Sequence, residues 1–413
     1  MTTTGQKAST SSPSLVSSLR PDHQTNVASI TPLYNLHQND WVHVGIRDQE
    51  VYGIHDPACR TRTGFRYCCL GQCHQPHLQH PNSSQLLLKY VAEEGRELSN
   101  FHDLIKEYKK QKLEESSNNT RESNCNFVFL GDSLSNDHAV SALCQTLMLR
   151  DEAGQYVYEI SSMSCRPRPF GSNDGNNSTW CKNATNSGTT QKYKHLVYTE
   201  LERSSSRTVS SNDDNNSQPF CDRLLLVQVR LWNPAQNSVF PDIPFAINEL
   251  LKLESGGIML WNWGVWCNQP RTGCVENVLR QSLLHIVNDQ RFPQNRWKFM
   301  YRETEPQHFR TPSLDGTFSP DVPIECAPID HPATWRNDEA KQFLKDQGLF
   351  NTLVAWVPIA DALSDMWSFH HPHDCTHYCY SPWRLHLTWD GMVHGLRLLE
   401  LYQKQFMATN SVG

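Results

Sequence analysis

The chain has 413 residues, 38% hydrophobic and 19% charged, the balance of a globular protein rather than a disordered or fibrous one. A formal net charge of −6 excludes the basic footprint that nucleic-acid binding requires. No run of about 18 apolar residues is present to cross a bilayer.

Residues 1–35 are rich in Ser and Thr and poor in aromatics, which predicts a disordered lead-in without the apolar core of a signal peptide. Residues 36–120 read as a Cys-rich N-terminal lobe followed by a helix. The lobe holds Cys59, Cys68, Cys69 and Cys73 among Gly, Pro and His, and 86–113 carry helical periodicity with Lys and Glu outward. From 121 to 413 strand and helix patterns alternate, which predicts an α/β layer structure with a mostly parallel sheet. Strands are expected at 126–130, 224–232, 258–262, 298–302 and 352–357, each a short β-branched or aromatic run suited to burial on both faces. Helices are expected at 137–150, 243–253, 275–288, 338–345 and 391–406. A polar stretch at 166–218, dense in Asn, Ser, Thr and Gly, reads as a surface excursion from this domain.

Cysteine usage bears on compartment. Fourteen cysteines at this density mean metal in a reducing cytosol and disulfides in an oxidising lumen. The Asn-x-Ser/Thr sequons at Asn82, Asn118, Asn176, Asn177, Asn183 and Asn215 lean toward the second, a lumenal or secreted glycoprotein. A leader or membrane anchor would then lie outside this sequence.

Four short blocks carry chemistry. Gly131-Asp-Ser-Leu134 follows an apolar strand and precedes a helix, so the Ser133 hydroxyl belongs at the carboxyl edge of the sheet, where open α/β folds place ligands. The helix start offers unpaired N–H groups to a developing oxyanion; Ser and Asp also occur there simply as helix caps. A serine hydroxyl is a poor nucleophile without a base and a group that orients the base. The segment from His370 to Cys379 offers both, since Asp374 and His377 stand three apart. Its four histidines and two cysteines are equally compatible with a zinc site. Asn262 and Gly264, in Trp261-Asn-Trp-Gly264, end another strand, where an Asn amide can serve as a second oxyanion donor or as a turn residue. Trp261, Trp263 and Trp266 suit the core, with one exposed Trp able to stack on a sugar face. Arg302 and His308 follow a further strand end.

Taken in order, these blocks resemble the PC-esterase branch of the GDSL/SGNH superfamily, and within it the plant trichome-birefringence-like polysaccharide O-acetyltransferases. The resemblance rests on Gly131-Asp-Ser-Leu-Ser135, Ser141-Ala-Leu-Cys144, Trp261-Asn-Trp-Gly264, Tyr301-Arg-Glu-Thr-Glu-Pro-Gln-His-Phe309 and Asp374-Cys-Thr-His-Tyr-Cys379. The last stands where the family has Asp-Cys-x-His-Trp-Cys. It spans 126–406.

The resemblance implies a three-layer SGNH-like fold with a Ser133 nucleophile, His377 as base and Asp374 as its orienter. Asn262 and the backbone amides of Ser133 and Gly264 would form the oxyanion site, and Asp132, Arg302 and His308 would contact substrate. Cys375 and Cys379 would be in disulfides, one tying this loop to the N-terminal lobe, which would remove their sulfurs from any metal site.

The activity implied is acetyl transfer to a polysaccharide or oligosaccharide hydroxyl, in the Golgi lumen or outside the cell. The acetyl donor, acetyl-CoA or another acetyl ester, is a co-substrate, with no metal and no tightly bound cofactor. An acetylesterase with the same three residues and an inactive carbohydrate-binding protein are the rival readings. The chain departs from the family at 380–390, where Tyr-Ser-Pro-Trp-Arg-Leu-His-Leu-Thr-Trp-Asp replaces the Leu-Pro-Gly continuation and Trp-Asn pair, and in the polar excursion.

Overall fold

The computed structural model describes residues 41–43, 88–90, 97–115, 124–163, 196–204, 220–230, 256–267, 269–371, 374–378 and 382–410. All six sequons, the expected helix at 243–253 and most of the Cys-rich lobe lie outside these residues. Of the lobe, two short strands are described, β1 (Trp41–His43) and β2 (Leu88–Tyr90), paired antiparallel.

The body of the molecule is a seven-stranded sheet between two helical layers. Its strands are β3 (Asn124–Gly131), β4 (Tyr158–Met163), β5 (Leu196–Arg203), β6 (Arg223–Arg230), β7 (Gly257–Asn262), β8 (Trp297–Arg302) and β9 (Val354–Val357). They lie in the order β4-β5-β6-β3-β7-β8-β9. Pairing is parallel from β6 to β9, and β4 and β5 form an antiparallel edge. All five expected strands are present, because runs such as Phe127-Val-Phe-Leu130 bury both faces and leave the extended ladder as their best packing.

Side chains alternate between two cores, as the two-residue strand period requires. Phe127, Phe129, Leu260, Met300 and Ala355 point to one side. That side is covered by α1 (Phe101–Glu115), α2 (Ser133–Met148) and α7 (Pro382–Asn410). Val128, Leu130, Met259, Trp261 and Tyr301 point to the other. There lie α3 (Cys274–Gln281), α4 (Leu283–Val287) and α5 (Trp335–Asp346).

Three expectations change. The helix read at 86–113 begins only at Phe101, because Asn100 caps it: the Asn100 side chain accepts from the His102 and Asp103 amides, and Asp103 accepts from the Asn100 amide. This helix belongs to the main core rather than to the N-terminal lobe, since Phe101, Leu104, Ile105 and Tyr108 are buried against the sheet. The polar excursion at 166–218 contains β5, a strand paired between β4 and β6 whose Leu201 is buried; its alternation is short and sits within Asn- and Ser-rich sequence.

The segment at 380–390 that departs from the family opens α7 and is structural in its described part. Trp389 is fully buried, with its ring 5.0 Å from Phe101, 6.1 Å from Phe129 and 5.7 Å from His138. Asp390 accepts the Ser99 amide at 2.9 Å and so anchors the approach to α1. Removing a buried indole of this kind costs about 3–5 kcal/mol.

Topology fixes where a site can form. The chain leaves β3, builds β4 to β6 on one side and returns to β7 on the other. Strand order therefore reverses at β3/β7, and the crevice beyond their carboxyl ends is the preferred ligand position of an open α/β sheet.

Candidate active site

Ser133 occupies that crevice edge. Gly131 ends β3 directly opposite Asn262 at the end of β7, and a Cβ on Gly131 would overlap the Asn262 carbonyl oxygen. Gly264 is constrained likewise, since a Cβ there would overlap the Thr304 hydroxyl. Asp132 then caps α2, its Oδ1 accepting from the Leu134 amide at 3.0 Å, so that Ser133 is the first residue of the helix. Helix starts carry N–H groups with no partner in the helix and a positive dipole end.

The partner group arrives from the far end of the sequence. After β9 come α6 (Ala360–Leu363), a 3-10 turn (Met366–Phe369) and a hairpin of β10 (His370–His371) and β11 (Asp374–Tyr378). The hairpin sets His377 Nε2 2.5 Å from Ser133 Oγ, and His377 Nδ1 2.6 Å from Asp374 Oδ2. Asp374 Oδ1 also accepts the Thr376 and His377 amides at 2.9 and 3.2 Å. Three side chains separated by 244 residues in sequence thus form one hydrogen-bonded series.

Electrostatics suit a base. Burial works against the Asp374 carboxylate, but the His377 hydrogen bond and charge and the two amides outweigh it and hold the carboxyl at about 2. Burial likewise opposes the His377 imidazolium, yet the Asp374 hydrogen bond and the charges of Asp137, Asp374 and Asp132 raise its pKa above the ordinary imidazole value. Asp374 as an anion fixes the Nδ1–H tautomer, which leaves Nε2 free to take the serine proton.

The remaining predicted residues are close by but point elsewhere. Asn262 is fully buried, and its amide N–H groups donate to the Arg302 carbonyl at 3.0 Å and the Thr304 hydroxyl at 3.3 Å. Donation to an oxyanion would require giving up the longer of these. Gly264 lies in a turn whose carbonyl accepts the Cys267 amide at 3.0 Å.

Asp132, Arg302 and His308 are each fully buried, so in this conformation none presents a side chain to a substrate in the crevice. Asp132 is occupied as a cap; burial raises its pKa, and the charge of Arg302 opposes the rise. Arg302 pairs with Glu305 at 2.9 Å. His308 bonds His370 at 2.7 Å and the Ser364 carbonyl at 2.8 Å. Their sequence signal, polar residues after a strand end, does not separate a cleft wall from the layer behind it.

That layer contains residues the motifs did not single out. Glu305 takes Arg302 on one oxygen and Arg384, from the first turn of α7, on the other at 2.5 Å. His138 on α2 bonds the Leu134 carbonyl and the Thr388 hydroxyl, each at 2.8 Å. Breaking a buried pair such as Glu305–Arg384 by removing one partner typically costs about 3–5 kcal/mol.

Disulfides complete the frame. Cys326–Cys375 ties β11 to the loop after β8, Cys267–Cys274 closes the turn after β7, and Cys125–Cys221 joins the starts of β3 and β6. Cys375 is bonded as expected, to Cys326 rather than to the N-terminal lobe; Cys379, the other cysteine on which the expected link to that lobe could fall, lies outside the described residues. The bonded Cys375 sulfur is not available to a metal. Trp261 and Trp263 are fully buried, whereas Trp266 is 43% exposed.

No family model matches the chain, and neither a curated protein nor a solved structure matches it.

Proposed function

We propose that the protein is an SGNH-type serine O-acyltransferase that moves an acetyl group onto a carbohydrate hydroxyl through an acyl-serine. The observation that carries this reading is the series Ser133 Oγ–His377 Nε2–Asp374 at 2.5 and 2.6 Å, beside a helix start and at the point where strand order reverses. The carbohydrate acceptor and the lumenal or extracellular setting come from the motif resemblance; disulfides at three described pairs are in keeping with an oxidising compartment.

In the mechanism, Ser133 Oγ attacks the carbonyl carbon of the acetyl donor while His377 Nε2 takes its proton. The tetrahedral oxyanion is held by N–H groups at the start of α2. Collapse breaks the bond to the donor's thiol or alcohol, which leaves with the proton from His377. The acceptor hydroxyl then attacks acetyl-Ser133, giving its proton to His377, and collapse transfers the acetyl group and returns the proton to Ser133. General-base help of this kind contributes about 10²–10⁴ in rate.

Hydrolysis is the second reading, favoured by the openness of the site: the side chains of His377 and Asp374 are 31% and 38% exposed, so water reaches the base. The two readings use the same first step and differ in what receives the acetyl group.

The test incubates the protein with an acetyl ester donor and a panel of polysaccharides, following free acetate and acetylated polysaccharide together, with Ser133→Ala alongside. Acetylated product dependent on Ser133 supports transfer, and acetate alone supports the esterase. A Ser133→Ala protein as active as wild type would refute both.

A further inference from the structure

The turn after β7 carries an aromatic ring that the fold itself does not use. Trp266 is 43% exposed, while Trp261, Trp263, Val265 and Cys267 around it are buried. Among the described residues its indole has no hydrogen-bond, ring or cation partner. Other tryptophans do: Trp335 lies against Arg336, Trp356 stacks on Tyr301, and Trp389 packs on Phe101. An indole left in water forgoes one of the largest apolar burials a side chain can make.

Three fastenings hold the backbone beneath it. The Cys267 amide donates to the Gly264 carbonyl at 3.0 Å and closes the turn. The Cys267–Cys274 disulfide closes the loop that follows, at the first residue of α3. Arg336 Nε, from α5, donates to the Cys267 carbonyl at 2.7 Å.

The same buried guanidinium ties the turn to the triad. Arg336 Nη2 donates to Gln307 Oε1 at 3.1 Å, and Gln307 Nε2 donates to Thr376 Oγ1 at 2.9 Å. A guanidinium only donates, so the Gln307 oxygen must face it and the amide nitrogen must face Thr376. Thr376 stands between Asp374 and His377 on β11 and gives its amide to Asp374 at 2.9 Å. The path from the Cys267 carbonyl to the Thr376 hydroxyl crosses three hydrogen bonds and two planar groups, at most about 14 Å. On the other side β7 adjoins β3, with Asn262 paired to Gly131. Trp266 therefore stands at the carboxyl end of the sheet, beside the crevice edge that Ser133 occupies.

A pyranose ring has an apolar C–H face and a polar edge of hydroxyls, so it suits an aromatic platform set among polar groups. Gln269, Arg271 and Thr272, in the same disulfide-closed loop, are all exposed. Arg271 has a left-handed backbone (φ 61), uncommon for a non-glycine residue, and its amide donates to Glu339 at 2.7 Å. Resting on the reading of Ser133 as the nucleophile of an acetyl transfer, we propose that Trp266 is the platform of the acceptor subsite. A sugar ring of an oligosaccharide stacks on it, and a hydroxyl further along the chain reaches acetyl-Ser133. Holding the acceptor there raises its effective concentration against water, the competing acceptor.

The test measures acetylated sugar and free acetate in one reaction, with an acetyl ester donor and soluble xylo-, manno- or galacturono-oligosaccharides as probe acceptors. Trp266→Ala is expected to raise the KM for the oligosaccharide about tenfold, with kcat at saturating acceptor within about twofold. At subsaturating acceptor the ratio of acetylated sugar to acetate should fall by the same factor. That ratio compares two fates of one acetyl-enzyme, so it does not depend on how much of the variant is folded. Trp266→Phe should recover most of the ratio, and Trp266→Leu, apolar but without a ring, should not. An unchanged ratio in Trp266→Ala, or equal recovery by Phe and Leu, overturns the proposal.

Saturation-transfer NMR of the same oligosaccharides, with no donor present, reads the subsite without turnover. Sugar signals are expected with the wild-type protein and are expected to vanish with Trp266→Ala. No signal from any probe with the wild-type protein, or equal signals from both proteins, overturns the subsite. If the protein turns over no ester while a Trp266-dependent signal is present, the subsite stands and the reading of Ser133 as nucleophile fails.

Discussion

Replacing Asp374 by Asn separates the stability of the site from its chemistry. Lowering a carboxyl from 3.8 to about 2 corresponds to roughly 2 kcal/mol at about 1.4 kcal/mol per tenfold. The side chain is 38% exposed, and solvent screening trims this to about 1 kcal/mol. Because the folded-state pKa is depressed, this contribution is present above the unfolded value near pH 4 and is lost as pH falls through about 2. At neutral pH the variant should therefore unfold only about 1 kcal/mol more easily, read as a small drop in the urea midpoint.

The rate should fall far more. An Asn oxygen can still accept the Thr376 and His377 amides, which turns its NH₂ toward His377 Nδ1 and drives the ring proton to Nε2. That tautomer points an N–H at Ser133 and cannot take its proton; the loss expected in kcat for an activated acetyl ester is on the order of 10³–10⁴. A variant that keeps its fold and loses less than about tenfold would refute the assignment of Asp374 as the group that fixes the tautomer.

Asp137, on α2, raises the His377 pKa, so Asp137→Asn should move the acid limb of the kcat/KM profile to lower pH; an unmoved limb would mean that another group governs it. Cys326→Ser with Cys375→Ser opens a loop of 49 residues. It should cost about 2–4 kcal/mol, seen as a lower Tm in the variant and in reductant-treated wild type; an unchanged Tm in both counts against this bond as a staple. Gly131→Ala forces a Cβ onto the Asn262 carbonyl. It should destabilise the protein by more than about 3 kcal/mol or prevent its folding, and a variant with wild-type stability would show that the strand ends do not approach so closely.

Much of the molecule is legible in the sequence. The five parallel strands appear where short apolar runs predicted them, because a strand buried on both faces must be apolar throughout and so stands out in any window. The series Ser133–His377–Asp374 was likewise readable, since a Ser at a strand–helix junction and an Asp/His pair three residues apart are local patterns. The antiparallel strand β5 was not, because among its described side chains only Thr199 and Leu201 are buried and the rest match a polar loop.

Orientation is what the sequence could not supply. It placed Asn262, Arg302 and His308 at strand ends but not the direction of their side chains, which depends on contacts with Thr304, Glu305 and His370 from other segments. The pairing of Cys326 with Cys375 is equally a property of which loops meet, since even spacing among cysteines admits many connectivities. The sequence by itself determined which groups are available and which segments form strands, because both follow from local chemistry and periodicity. The tertiary structure alone decided that Ser133 faces His377 while Asp132, Arg302 and His308 turn inward, because buried polar groups take the partners that packing brings within hydrogen-bond reach.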